Sequence, residues 1–129
     1  MLFETELFAS PLFGTSAPPN INPVTIFAVS RSDAGTPYTF ISPVKDPDSI
    51  EFHGMDWSGW LQNGDSIASQ TVFAAAEGIT ISEVSRAAAV ISWRLSGGQA
   101  GQDYVVTCRV TTAGGLVDDR SIRYRVRER

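Results

Sequence analysis

Tyr104-Val-Val-Thr-Cys108-Arg-Val110-Thr-Thr112 and, beyond the turn residues Ala113-Gly114-Gly115, Ser121-Ile-Arg123-Tyr-Arg125-Val-Arg127 alternate apolar and polar residues with a period of two. That period belongs to a strand with one face on a core and the other in water. Tyr104, Val106, Cys108 and Val110 then face inward from the first strand, and Ile122, Tyr124 and Val126 from the second. Cys108 is expected to be buried. Arg123, Arg125 and Arg127 face out. Leu95-Ser-Gly-Gly-Gln-Ala-Gly101 leads into Tyr104 and predicts a tyrosine corner, in which the phenol of a late strand bonds back to the loop before it.

Reading backwards, Ala89, Ile91, Trp93 and Leu95 share one face of a further strand, and Ile79 to Val84 and Ile67 to Phe73 supply two more. Ile50 and Phe52, then Met55 and Trp57, change parity across Gly54, which predicts a β-bulge there. Asn63-Gly64 predicts a tight hairpin turn. Six short strands with turns at this spacing predict an all-β fold, an immunoglobulin-like or fibronectin III-like β-sandwich at residues 46–129.

All seven prolines fall in the first 47 residues. Proline fixes φ and cannot donate to a sheet ladder, so residues 1–45 read as an extended arm. Five of the seven phenylalanines lie in it, an aromatic content unlike that of a disordered linker. The arm is therefore expected to be ordered against a partner, with Phe3, Phe8, Phe13 and Phe27 in the contact. The sandwich is expected to fold without residues 1–39.

The 129 residues carry a net charge of −4, unevenly placed. Residues 1–84 hold ten acids against Arg31 and Lys45, and residues 85–129 hold four acids against eight arginines. Such a split suits contact between copies or with unlike protein surfaces better than nucleic acid, which calls for one dominant basic face. No apolar run approaches the roughly 18 residues that span a bilayer. Acids stand at the start where a secretory leader would carry bases, so synthesis in the cytoplasm is expected.

The residues that could carry chemistry are scattered. His53, the only histidine, reads as a surface or strand-face residue. Asp46-Pro47-Asp48 lacks the glycine and terminal acid of a calcium loop and reads as a turn. Asp118 and Asp119 face opposite ways on a strand and cannot flank one bond. No glycine-rich phosphate loop precedes a helix. Trp57 and Trp93 fall on the inward parity, while Trp60 is left as a candidate stacking platform for a sugar. Arg109, Arg120, Arg123, Arg125, Arg127 and Arg129 form the main charge concentration, read as an outward face that is solvated or meets an acidic neighbour. No catalytic, cofactor or metal site is expected.

Phe40-Ile-Ser-Pro-Val-Lys45-Asp-Pro-Asp48, Met55-Asp-Trp-Ser58, Gly64-Asp-Ser-Ile-Ala-Ser69, Leu95-Ser-Gly-Gly98, Tyr104 to Thr112 and Asp119 to Arg127, taken in this order, resemble the small phage fiber-tail adaptor proteins. The resemblance runs from about residue 40 to the end. It implies an immunoglobulin-like sandwich built into a tailed-phage virion, joining tail or neck to fibres in several copies. Partners are then other virion proteins and copies of itself, with Trp60, Arg123, Arg125 and Arg127 beside the arm phenylalanines as contact residues. The chain departs from the family in the 40 or so residues that precede the shared segment. The competing function is a host-surface glycan-binding module.

Overall fold

The computed structural model describes residues 24–31 and 40–129, which form eight strands and no α-helix. They are β1 (Val24–Ala28), β2 (Phe40–Ile41), β3 (Ile50–Asp56), β4 (Ile67–Ala74), β5 (Ile79–Ala87), β6 (Val90–Gly97), β7 (Asp103–Thr112) and β8 (Val117–Arg125). Two four-stranded sheets result, in the orders β1-β3-β6-β5 and β2-β8-β7-β4. The inner pairings are antiparallel, whereas β1 runs parallel to β3 and β2 parallel to β8. The fold is an all-β sandwich, and each of the six strands expected from periodicity is present.

The alternation that predicts β7 and β8 places their faces. Val106, Cys108 and Val110 from β7 and Ile122 and Tyr124 from β8 are fully buried, against Met55, Ile91, Trp93 and Leu95 of the facing sheet. Cys108 is buried as expected, and burial pushes its thiol up to about 12, so it stays protonated and inert near neutrality. The tyrosine corner is also present: the Gln99 backbone N–H donates to Tyr104 Oη at 2.9 Å. Gly98, at φ +96, lies under that ring, where a Cβ would stand 2.8 Å from Val126 Cγ2.

Three local expectations are revised. Gly54 makes no bulge, because β3 runs against β6 in unbroken register from Ile50↔Ser96 to Asp56↔Val90. His53, Met55 and Trp57 face the core, and Ile50 is exposed on the outer face. Gly54 serves instead to let β1 close in, since a Cβ there would meet Ile26 Cδ1 at 2.8 Å. Register shifts occur between Ile67 and Ser69 and between Ser82 and Ser85. Asn63-Gly64 does turn the chain, with the Asp65 N–H on the Gln62 carbonyl at 3.0 Å, but β3 and β4 lie in different sheets. The turn belongs to a crossing between sheets, not to a hairpin.

The arm assigned to residues 1–45 contributes to the sandwich as well. β1 and β2 both come from it, and Phe27 and Val29 lie in the core. Phe27 packs on Phe40 with ring centroids 5.1 Å apart, joining the two arm strands across the sheets. A chain starting at residue 40 would lose both of those buried side chains, so the expectation that residues 1–39 are dispensable for folding is revised.

The corner yields a measurable expectation. Tyr104→Phe leaves the ring and strips the acceptor from the Gln99 N–H, which should cost about 1 to 3 kcal/mol. Urea unfolding of the variant should show that loss at an unchanged slope.

Candidate functional site

Lys45 has no exposed side-chain surface, and its Nζ donates to three carbonyl oxygens: Gly97 at 2.7 Å, Ser49 at 2.8 Å and Asp46 at 2.9 Å. An ammonium has three N–H groups, so the set is complete. Its backbone continues the β2 line: its N–H bonds the Arg125 carbonyl and its carbonyl accepts from the Arg127 N–H, both at 2.9 Å. Burial pulls the Lys45 pKa below the usual lysine range, against the pull of Glu51 and Asp46. Asp46-Pro47-Asp48 is the turn that wraps this ammonium, with the Asp48 N–H on Asp46 Oδ1 at 2.9 Å.

Beside it runs a polar chain. Glu51 Oε1 lies 3.0 Å from His53 Nε2, and His53 Nδ1 lies 3.0 Å from Tyr124 Oη. Of the two places expected from sequence, surface or strand face, His53 takes the second: it is buried on the inner face of β3, with Phe27 stacked on its ring. Burial lowers the His53 pKa, which Glu51 partly offsets and Lys45 reinforces. Neutral His53 with its proton on Nε2 satisfies both partners: it donates to the carboxylate and accepts from the phenol. A histidine held by a carboxylate has the form of a hydrolase dyad, yet its other end is a fully buried phenol rather than a nucleophile open to substrate.

A cleft of about 370 Å³ opens here, lined by Thr25 of β1, Pro43 and Val44 after β2, Ser49, Ile50, Glu51, His53 and Arg129. Arg129 reaches Glu51 Oε2 at 2.9 Å, and its N–H bonds Asp46 Oδ2 at 2.9 Å. Part of the charge split along the sequence is therefore cancelled inside the chain. Asp46, Asp48 and Glu128 bring carboxylate oxygens within 4.8 Å of one another, with both Asp46 oxygens already taken by N–H groups.

The expected contact residues separate into three groups. Phe3, Phe8 and Phe13 lie outside the described residues. Phe27 and Trp60 are taken up by the core; Trp60 is 5% exposed, edge-on to Trp57 at 5.2 Å, with the Arg31 guanidinium 5.5 Å from its ring centre. The turn after β3 explains this, because the Trp60 and Leu61 N–H groups both bond the Trp57 carbonyl and roll Trp60 under. Arg123, Arg125 and Arg127 gather around Asp103: Arg123 pairs with its carboxylate, Arg127 reaches it at 3.3 Å, and Arg125 is its register partner across the hairpin. The Arg123 bond holds the Asp103 carboxyl below the usual range.

Arg120 departs from the outward arginine face. It shares parity with Ile122 and Tyr124, is 4% exposed, bonds Asp118 at 2.7 Å and the Ser30 carbonyl at 3.3 Å, and lies over Trp57. Asp119 turns the other way, to Arg109. Sequence reasoning missed Lys45 as a structural residue; the parity of Arg120 was readable.

Against known proteins, residues 45–125 match the family profile described as podophage GP4 fiber-tail adaptor protein gp77. No curated protein sequence matches the chain. Among solved structures it is similar to the cysteine protease inhibitor EhICP2 from Entamoeba histolytica, at 7% identity and a TM-score of 0.47, covering 81% of this chain and 98% of that one.

Two expectations follow from the buried groups. Lys45→Met keeps the volume but leaves three carbonyls bare, and should cost about 3 to 5 kcal/mol in denaturant melts. The second concerns pH. His53 is depressed when folded, so its contribution is present above the unfolded value of about 6.5 and is lost as pH falls from there through the lower folded value. Glu51, Asp46 and Asp103 are depressed too; burial pushes Glu51 up, but hydrogen bonds from Ser49 and His53 outweigh it, while Arg129 and Asp48 N–H groups act on Asp46 and Arg123 on Asp103. Their contribution is present above about pH 4 and lost below it. The urea midpoint should fall in two stages on acidification, and His53→Gln should remove the upper stage.

Proposed function

The chain belongs to the podophage GP4 fiber-tail adaptor protein family, and from that premise we propose that it is a virion adaptor. In this reading it joins tail or neck to fibres of a tailed phage through protein–protein contacts, in several copies per particle and without an enzymatic step. It is made in the host cytoplasm and built into the tail or neck region. The observation that carries the reading is the span of the match, which begins at the buried Lys45 and runs to the end of β8.

The sandwich is read as immunoglobulin-like on its pairing. With β3 to β8 taken as strands B to G, β3-β6-β5 supplies B-E-D and β4-β7-β8 supplies C-F-G, the division between sheets in that fold. A non-enzymatic role is supported by the His53 chain, which ends on the buried Tyr124 phenol, and by the separate arginine partners of Asp118 and Asp119. A glycan platform would need Trp60 at the surface, and its indole is packed on Trp57, so the adaptor reading is preferred. Arg123, Arg125 and Arg127 on the outer face of β8 and its continuation are the proposed contact with an acidic virion partner.

The test is made on particles. The chain should remain on purified virions at fixed stoichiometry, and Arg123→Glu, Arg125→Glu and Arg127→Glu combined should lower its incorporation at least tenfold. Saturable binding of the free protein to host polysaccharide, with none on particles, would replace this reading by the glycan module. Normal incorporation of the triple variant would move the contact elsewhere.

A further inference from the structure

The exposed edge of β1 differs from the other sheet edges. β4 and β5 each carry a register shift, and Arg86 of β5 bonds Gln70 of β4. β2 is two residues long. β1, Val24-Thr-Ile-Phe-Ala28, is regular over five residues, with neither charge nor proline within it. The Val29 N–H bonds the Asp56 carbonyl, and in a parallel pair alternate residues make the bonds. Thr25, Phe27 and Val29 therefore address β3, while the N–H and C=O of Ile26 and Ala28 point away from it. Among the described strands nothing pairs with them. Such an edge is a template for another strand unless covered.

Two features beside the edge suit an apolar strand. The cleft at the start of β1 presents Pro43, Val44 and Ile50 as its apolar wall, beside the Glu51–Arg129 ion pair, and falls within the size of small-ligand cavities. Ile26 of β1 and Ile50 of the cleft wall are 49% and 57% exposed. Arg31 stands exposed just past the other end of β1.

The first sixteen residues contain a five-residue period repeated three times: Leu2-Phe3-Glu4-Thr5-Glu6, Leu7-Phe8-Ala9-Ser10-Pro11, Leu12-Phe13-Gly14-Thr15-Ser16. Adjacent Leu and Phe point to opposite faces of an extended chain, and the odd period alternates which of them faces a given side, so both faces stay apolar. That is what a strand added at a sandwich edge needs, with one face toward the core and one continuing the outer surface. We propose that the Leu-Phe repeat of one copy adds antiparallel to β1 of a second copy, with one Leu or Phe side chain of the repeat in the cleft and Glu4 and Glu6 toward Arg31. Charge sets the direction, since the acids stand at the start of the repeat and Arg31 at the end of β1. The spacer sets the donor. Residues 14–23 include Pro18, Pro19 and Pro23, and a proline-rich segment extends at about 3.1 Å per residue, roughly 30 Å here, about twice the length of β1. A spacer of that reach would let the repeat arrive at a neighbour's β1.

The contact is head-to-tail, so it closes into a ring or continues as a filament, and it deepens the adaptor reading by naming a second copy as one partner. The experiment uses the purified full chain and no phage, so its failure is separate from failure to incorporate into virions. Light scattering behind size exclusion at submillimolar concentration should give wild type a mass above the 13.9 kDa chain. Ile26→Pro, which removes an outward N–H and spares the bonds to β3, should be a monomer; so should Phe3→Ser, Phe8→Ser, Phe13→Ser combined. Mixing the two variants should restore a one-to-one pair, since each keeps the half the other lacks. A synthetic peptide of residues 1–16 should dissociate the wild-type assembly. If circular dichroism finds Ile26→Pro unfolded, Ala28→Pro takes its place. A monomeric wild type, an assembling repeat variant or a mixture that stays monomeric overturns the proposal.

Discussion

One buried ammonium ties the two sheets together at one end of the sandwich. Lys45 Nζ holds the Gly97 carbonyl at the end of β6, in one sheet, while its backbone is stitched to Arg125 and Arg127 in the line of β8, in the other. A buried charge costs several kcal/mol in lost hydration and is tolerated when every N–H finds an acceptor. Here three carbonyls do so, and Glu51, Asp46 and Asp48 add favourable charge nearby. The loop that follows Gly97 is held again from its far side by Tyr104, through Gln99. Removing either tie leaves the loop fixed on one side only, and Gly98 under the Tyr104 ring makes the two ties geometrically dependent.

The opposite end is closed by the same device with a different residue. Arg120 enters from β8, lies over Trp57 of the facing sheet, bonds Asp118 and reaches the Ser30 carbonyl just beyond β1. A planar guanidinium suits this place because it stacks on an indole while donating at its edge. Thus each end of the sandwich has a buried cation that binds backbone carbonyls across the sheets. A chain with one cysteine has no disulfide to do this, and a domain of this size gains little from core burial alone.

Periodicity made six strands and the inward faces of β7 and β8 legible, because a half-buried antiparallel strand writes its environment into alternate residues. β1 and β2 were not legible as parts of the sandwich. They are short, parallel and set among prolines, and their identity depends on β3 and β8, far away in sequence. Gly54 misled for a related reason: Ile50 and Phe52 are apolar on the outer face, beside a strand whose presence the local pattern does not announce. Asn63-Gly64 was read correctly as a turn and wrongly as a hairpin, since local turn chemistry says nothing about which sheet the next strand joins. At the site, Arg120 could have been placed from its parity with Ile122 and Tyr124. Lys45 could not, because a charged residue after Pro43 carries no sequence mark of three carbonyls converging from other segments.

An adaptor needs two contacts that can be made at once, and the placement of the proposed ones allows it. Arg123 and Arg125 lie on the outer face of the sheet β2-β8-β7-β4, and the edge of β1, unpaired among the described strands, bounds the other sheet. A strand added to β1 extends that other sheet sideways and leaves the arginine face open. The two contacts also differ in kind: main-chain pairing at β1 is tolerant of sequence, with the cleft supplying selectivity, whereas the arginine face selects by charge and weakens with salt. Copies joined through β1 would then present a row of arginine faces with the spacing of the assembly itself. Binding through such a row gains from multiplicity without any single contact being strong. On this reading the stiffness supplied by Lys45 and Arg120 has a mechanical purpose, since a row of weak contacts keeps its register only if each sandwich holds its shape.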